Sequence, residues 1–196
     1  MLCAMKKNDK YSLKANTITK YWKYNYEPWT QPVLTANGVL GGDSFGVLAR
    51  SEYSSNYSAW KAFDGSTTSG WEEAGATDTA WYIFYTPNPI NITAIGWALS
   101  SSVYGIRNYK LLASNDNISF VDLGSYSNNE TSYTTPTIIS NNGYYKYYKI
   151  QATHSSSSSR IYEFNIIATQ QTIVESTQDD YDFTTEEKTY FAFKKG

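Results

Sequence analysis

Disulfide cross-links are the first thing this sequence lacks. Its 196 residues include a single cysteine, Cys3, so no internal disulfide frame exists and the redox compartment stays open. A cationic excess is missing too: 16 Lys and Arg stand against 18 Asp and Glu. That balance excludes a polybasic nucleic-acid binder, which needs clustered positive charge to neutralise phosphates. No apolar run reaches the ~18 residues of a membrane-spanning helix, so no membrane insertion is expected. Histidine occurs once, at His154. What is abundant is aromatic surface, with 6 Trp, 19 Tyr and 8 Phe. Burying it offsets chain entropy, which argues against intrinsic disorder. One domain of roughly 140–160 residues with short extensions is the natural expectation.

The first residues, Met1-Leu2-Cys3-Ala4-Met5, are too short for a signal-peptide core, and Lys6 and Lys7 follow at once. We therefore expect that the protein is not exported alone, and that Asn56, Asn91, Asn117 and Asn129 match the glycosylation sequon by chance. Charge is segregated along the chain. Residues 1–23 hold six lysines and one acid, Asp9; residues 170–187 hold six acids and no base. Two readings stay open: solvated tails, or extensions that dock on each other or on a neighbouring subunit. Tyr21, Trp22, Tyr24 and Tyr26, and Tyr190-Phe191-Ala192-Phe193 near the other end, favour docking, because exposed aromatic clusters mark contact surfaces.

Helix signals are nearly absent between these ends. Short runs rich in Val, Ile, Tyr, Phe and Trp recur instead, bounded by Gly, Pro, Asn and Ser. They predict strands over 44–49, 80–85, 92–99, 109–114, 121–126, 134–139, 144–152 and 160–168. Eight strands without intervening helices suit an antiparallel sandwich or jelly roll. In the last strand, alternation predicts Tyr162, Phe164, Ile166 and Ala168 facing the core, with Ile161, Glu163, Asn165 and Ile167 opposite. Residues 59–63 read as one helical turn before Asp64-Gly65, and Ser155 to Ser159 as a flexible loop.

Several runs in order carry a resemblance. Ser51-Glu52-Tyr53-Ser54-Ser55, Ala59-Trp60-Lys61-Ala62-Phe63-Asp64-Gly65, Gly70-Trp71 and Trp81-Tyr82-Ile83-Phe84 resemble the first half of discoidin domains, the coagulation-factor type C or family 32 carbohydrate-binding group. Tyr109 to Asp116, Phe120, Leu123-Gly124, Tyr147-Tyr148-Lys149-Ile150 and Ile161-Tyr162-Glu163-Phe164 resemble its second half. The resemblance spans about residues 30–169. It implies an all-β, eight-stranded antiparallel jelly-roll β-sandwich, galactose-binding-domain-like, over 29–169, with extensions at 1–28 and 170–196. Animal members of the family usually tie the domain ends with a disulfide; its absence here points to a microbial or viral branch. Upstream, Glu27 to Thr35 and Gly41-Gly42-Asp43-Ser44-Phe45 resemble openings of bacteriophage tail and virion proteins. A virion released by lysis would place a protein without a signal peptide outside the cell.

Two sets of candidate site residues follow. In family members with a structural calcium, an Asp in this turn, nearby carbonyls and a Glu on the last strand surround the ion; here the resemblance implies Phe63, Asp64, Ser66, Thr68 and Glu163. Calcium takes six to eight oxygens at about 2.3–2.6 Å, and a glycine-bearing turn can aim several inward. The other reading is that Asp64 merely caps a turn. In similar glycan-binding modules the ligand rim joins an aromatic platform, for sugar C–H faces, to planar or charged groups, for hydroxyls. Tyr53, Tyr57, Trp71, Glu72, Tyr104, Arg107, His154 and Arg160 are candidates, with Arg107 and His154 first; Trp71 reads equally well as core.

Catalysis has little support. A Ser-His-acid triad would have to use His154. Glu72 and Glu73 point apart on a strand, so they do not form a hydrolytic carboxylate pair. The expectation is a non-enzymatic module on a phage virion, a tail fibre, baseplate or head decoration, contacting host-surface glycan. One weak site holds a sugar poorly, so many copies, hence a homo-oligomer and other virion proteins as partners, are expected. The rival reading is architectural, with rim aromatics anchoring contacts to other structural proteins.

Overall fold

The computed structural model describes residues 3–7, 10–14, 21–75, 79–98, 105–127, 136–155 and 159–176. The chain divides into two compact units, Met1–Asn25 with Thr172–Gly196, and Tyr26–Gln171. In the first, β1 (Cys3–Lys7) and β2 (Lys10–Lys14) form an antiparallel hairpin in which Cys3 lies opposite Lys14 and Lys7 opposite Lys10.

The second unit is built around β6 (Trp81–Trp97). Its first part pairs antiparallel with β4 (Gly46–Ala49) and with β10 (Tyr145–Ser155). Its last part pairs with β9 (Thr137–Ile138) and β12 (Phe164–Ser176). Beyond β10 come β7 (Ile106–Ser114) and β8 (Val121–Ser127); β3 (Tyr21–Pro28) follows β12 in the strand order, and both strands run on past the limits of this unit at Tyr26 and Gln171. The eight strands make one hydrogen-bonded network in two packed layers, an antiparallel β-sandwich.

Two separate strands are expected over 80–85 and 92–99; β6 runs through both. The reason lies at Pro87 and Pro89. Proline donates no ladder hydrogen bond, so prolines sit where pairing lapses. The β10 register passes from Tyr85 opposite Tyr147 to Ile90 opposite Tyr145, with an irregularity between. The strand thus leaves one layer and enters the other without ending.

Aromatic side chains fill the space between the layers. Phe164 is fully buried, with Phe63, Tyr82, Phe84 and Trp97 at ring-centroid distances of 4.7, 5.4, 5.9 and 5.6 Å. Two buried tyrosines keep a partner for the hydroxyl, as burial demands. Tyr82 donates to the Ala59 carbonyl at 2.7 Å and Tyr148 to that of Ile90 at 2.6 Å.

The last expected strand is two strands. Arg160–Ile161 is β11, paired with β5 (Trp71–Glu72). Residues 162 and 163 interrupt it, and β12 begins at Phe164. The interruption resets the alternation. Phe164, Ile166 and Ala168 face the core as expected, but so do Ile161 and, away from solvent, Glu163, while Tyr162 is only half-buried. The helical turn over Ala59–Phe63 is present as 3-10 helix.

Candidate functional site

One end of the sandwich holds the end of β4, the start of β6 and the end of β10, with residues 50–57 leaving β4 there. The segment after β4 is pinned from several sides. The indole of Trp71 donates to the Ser51 carbonyl at 2.8 Å, and the Tyr53 amide to the Glu72 carbonyl at 2.8 Å. The Glu52 carboxylate accepts from Asn37 Nδ2 at 2.9 Å and from the Ala59 amide at 2.8 Å. Ser54 caps a 3-10 turn over Ser55–Tyr57. These bonds fix the backbone beneath Tyr53 and Tyr57, whose rings meet edge to face at 5.9 Å. Tyr53 is 63% exposed.

Across from them, β11 brings Arg160 directly opposite Glu72 on β5. The guanidinium Nη2 donates to Glu72 Oε2, and the two side chains are only 14% and 9% exposed. The same guanidinium lies over the Tyr57 ring at 5.1 Å and the Tyr162 ring at 5.8 Å, and Nη1 donates to the Tyr162 hydroxyl at 3.3 Å. A planar cation between two rings, neutralised by one carboxylate, is a rigid arrangement. Glu73, next along, points the other way and accepts from Arg50 Nη1 at 3.0 Å, with Thr79 Oγ1 3.0 Å from the same nitrogen. The two adjacent acids, one on β5 and one just past its end, thus pair with different arginines.

The structure brings Tyr53, Tyr57, Glu72 and Arg160 together. Trp71 is not part of the rim: it is fully buried and packs on Tyr82 at 5.4 Å. A large ring beside a tightly packed glycine turn finds more contact inward than outward. Arg107 lies half-buried on β7. His154 sits on β10 opposite Asn108, so backbone pairing places both at this same end; Tyr104 lies outside the described residues. Tyr162 and Arg50 belong to the cluster and are not foreseen from sequence. For Arg50 the signal was electrostatic, since Glu73 needs a cation of its own; nothing in the local sequence marks Tyr162.

At the Asp64 turn the acids also meet. Glu163 Oε2 accepts from the Gly65 amide at 3.0 Å and Oε1 from Gln31 Nε2 at 2.9 Å. Asp64 accepts from the Ser66 amide at 2.9 Å and from the Ser69 hydroxyl. Burial, followed by the Asp64 charge, pushes Glu163 up to about 7. The Phe63 carbonyl accepts from the Leu34 amide at 2.7 Å, and the Ser66 and Thr68 hydroxyls lie 3.0 Å apart. Among the described residues no three His, Cys, Asp or Glu converge, so carbonyls and hydroxyls would have to complete a cation's shell. Two carboxylates in an all-oxygen turn, with no basic side chain bonded to either among the described residues, have the donor chemistry of a hard-cation site.

The F5/8 type C domain model matches residues 47–167. The chain belongs to this family. Its fold is shared with solved structures of low sequence identity. The family 32 module of C. perfringens NanJ, solved with galactose, is 18% identical at a TM-score of 0.54, over 63% of this chain and 93% of that one. A Clostridium perfringens module solved with GalNAc-β-1,3-galactose is 18% identical at 0.54, over 62% and 94%. The second chitosan-binding module of a Paenibacillus chitosanase/glucanase, solved with chitotriose, is 16% identical at 0.50, over 62% and 94%. No curated protein sequence matches the chain.

Proposed function

We propose that this F5/8 type C domain is a non-catalytic glycan-binding module, and that Tyr53, Tyr57, Glu72, Arg160 and Tyr162 form its sugar contact. The observation that carries this reading is the exposed Tyr53 ring standing on a hydrogen-bonded loop beside a planar, nearly buried arginine–carboxylate pair. The ring offers a platform to the C–H face of a pyranose, and the pair's edge meets hydroxyls. Because Glu72 already neutralises Arg160, the site suits an uncharged sugar. The galactose and chitotriose complexes of modules with this fold support the reading. A glycan array with the full chain tests it. Binding should be lost in Tyr53→Ala without loss of folding; an array blank for an oligomeric preparation, with and without calcium, overturns it.

The setting we propose is a phage virion in which many copies contact host-surface polysaccharide, since one shallow site gains useful avidity only by repetition. The virion-like residues 27–35 and 41–45 support it; the absence of the protein from purified virions of a phage encoding it would count against it. We also propose that Asp64 and Glu163, with carbonyl and hydroxyl oxygens from Phe63, Ser66 and Thr68, hold a calcium ion in a structural role, tying the turn to the last strand. The architectural reading has its own support on the other layer. There Ile138 and Ile167, 76% and 55% exposed, flank Ala94 across paired strands. Protection of Ile138 and Ile167 in an assembly, with Tyr53 protected as well, would favour it over recognition.

A further inference from the structure

The outer face of the β4–β6–β10–β7 layer carries a second group of side chains that the rim does not use. In β10, Tyr148 and Ile150 enter the core, so Tyr147, Lys149 and Gln151 face outward. The register sets Gln151 beside Trp81 on one side and Lys110 on the other, and Lys149 between Ile83 and Leu112. Leu48 of β4 lies next to Ile83 and is exposed. The Lys149 ammonium stands over two rings at once, 5.3 Å from the Trp81 centroid and 5.8 Å from that of Phe120. Trp81 and Phe120 are half-buried against Tyr147, Tyr85 and Ile83, which holds them in place.

Two features set this face apart from an ordinary solvated sheet. The nearest acid across the register, Asp122, bonds Lys110 at 3.1 Å and leaves Lys149 to the rings. Among the described residues no acceptor bonds the Lys149 ammonium, and no partner bonds the side-chain amide of Gln151. An ammonium offers three donors, and the aromatic faces satisfy none of them as a hydrogen bond. The result is a half-buried indole with an open cation over its ring and an open amide beside it, on a rigid sheet. An indole takes the C–H face of a pyranose, an amide takes hydroxyls, and an ammonium is completed by a carboxylate.

We propose that this face is a second glycan site, specific for carboxylate-bearing sugars such as uronic acid units, with Trp81 as platform, Lys149 as the carboxylate's partner and Gln151 on a neighbouring hydroxyl. It is independent of the rim and does not rest on the rim's reading. Two sites of opposite preference on one domain would let it grip a polysaccharide that alternates neutral and acidic units.

The test titrates the full chain with oligogalacturonate and, separately, with its fully methyl-esterified form, following tryptophan fluorescence and amide chemical shifts. The acidic oligomer should bind, with shifts clustered on 81–83, 110–112 and 149–151. The ester should bind at least tenfold more weakly, and added salt should weaken the acidic oligomer several-fold. Lys149→Gln should lose tenfold or more for the acidic oligomer while leaving neutral-sugar binding at the rim as it was; Tyr53→Ala should do the reverse. Lys149→Arg, which keeps charge and fold, should retain binding. Equal affinity for acid and ester, undiminished binding in Lys149→Gln, or loss of acidic binding in Tyr53→Ala overturns the proposal. So does self-association of the chain that Lys149→Gln abolishes, which would make the carboxylate a neighbour's.

Discussion

Replacing Glu72 with alanine strands the Arg160 guanidinium in a nearly dry position between two tyrosine rings. Breaking a fully buried ion pair by removing one partner costs about 3–5 kcal/mol. Here each side chain keeps roughly a tenth of its surface in water, so screening lowers the expected cost to about 2–3 kcal/mol. For a chain of this size that lowers Tm by about 5–10 °C. Arg160→Ala should cost more than Glu72→Ala, by about 0.5–1 kcal/mol, because it also removes the cation from over the Tyr57 and Tyr162 rings. The double variant should be less damaged than the sum of the two, with a coupling of about 1.5–2.5 kcal/mol. Urea unfolding followed by tryptophan fluorescence gives all three values, provided the slopes stay constant. A coupling below ~0.3 kcal/mol would refute the picture. The pair would then be a surface ion pair of little worth, and the rigidity assigned to the rim would have no source.

Phe164→Ala should cost about 3–5 kcal/mol by opening a cavity among four rings, read as a lower urea midpoint; a cost under ~1.5 kcal/mol would mean the layers collapse onto the gap. Gly70→Ala should cost about 1–3 kcal/mol and weaken sugar binding, because the new methyl would collide with the Ile161 carbonyl oxygen and lie 2.6 Å from Tyr162 Cα. Unchanged thermal stability would show that β11 gives way freely. In calcium-free buffer Glu163, ordinarily at 4.5 but raised to about 7 by burial and by Asp64, takes its proton more readily folded than unfolded. Its contribution is therefore complete below pH 4.5, declines as pH rises to about 7, and is flat above. Saturating calcium should raise Tm and remove that slope, seen by comparing Glu163→Gln with the parent across the range; a Tm indifferent to calcium sinks the cation proposal.

The sandwich was legible because its strands announce themselves in β-branched and aromatic runs, and turn residues punctuate them. Two features were not. The span from Trp81 to Trp97 reads as two strands because Pro87 and Pro89 look like punctuation, yet an extended chain passes through prolines where neighbours stop pairing. The reset at residues 162 and 163 has no glycine or proline to mark it. Only the change of partner, from β5 to β6, dictates it, and partners are not written locally. At the rim, Tyr53, Tyr57, Glu72 and Arg160 were readable as loop residues of the right chemistry. Trp71 was not separable from them, since an indole beside a glycine reads as platform or core alike. Arg50 and Tyr162 sit at strand margins, where side-chain direction depends on tertiary contacts.

The strand shared by both layers has a mechanical meaning. Tension applied at the rim travels along covalent backbone into the opposite layer, instead of relying on non-bonded contact between them. The aromatic filling is then squeezed, not peeled, and squeezing is the deformation that close-packed interiors resist best.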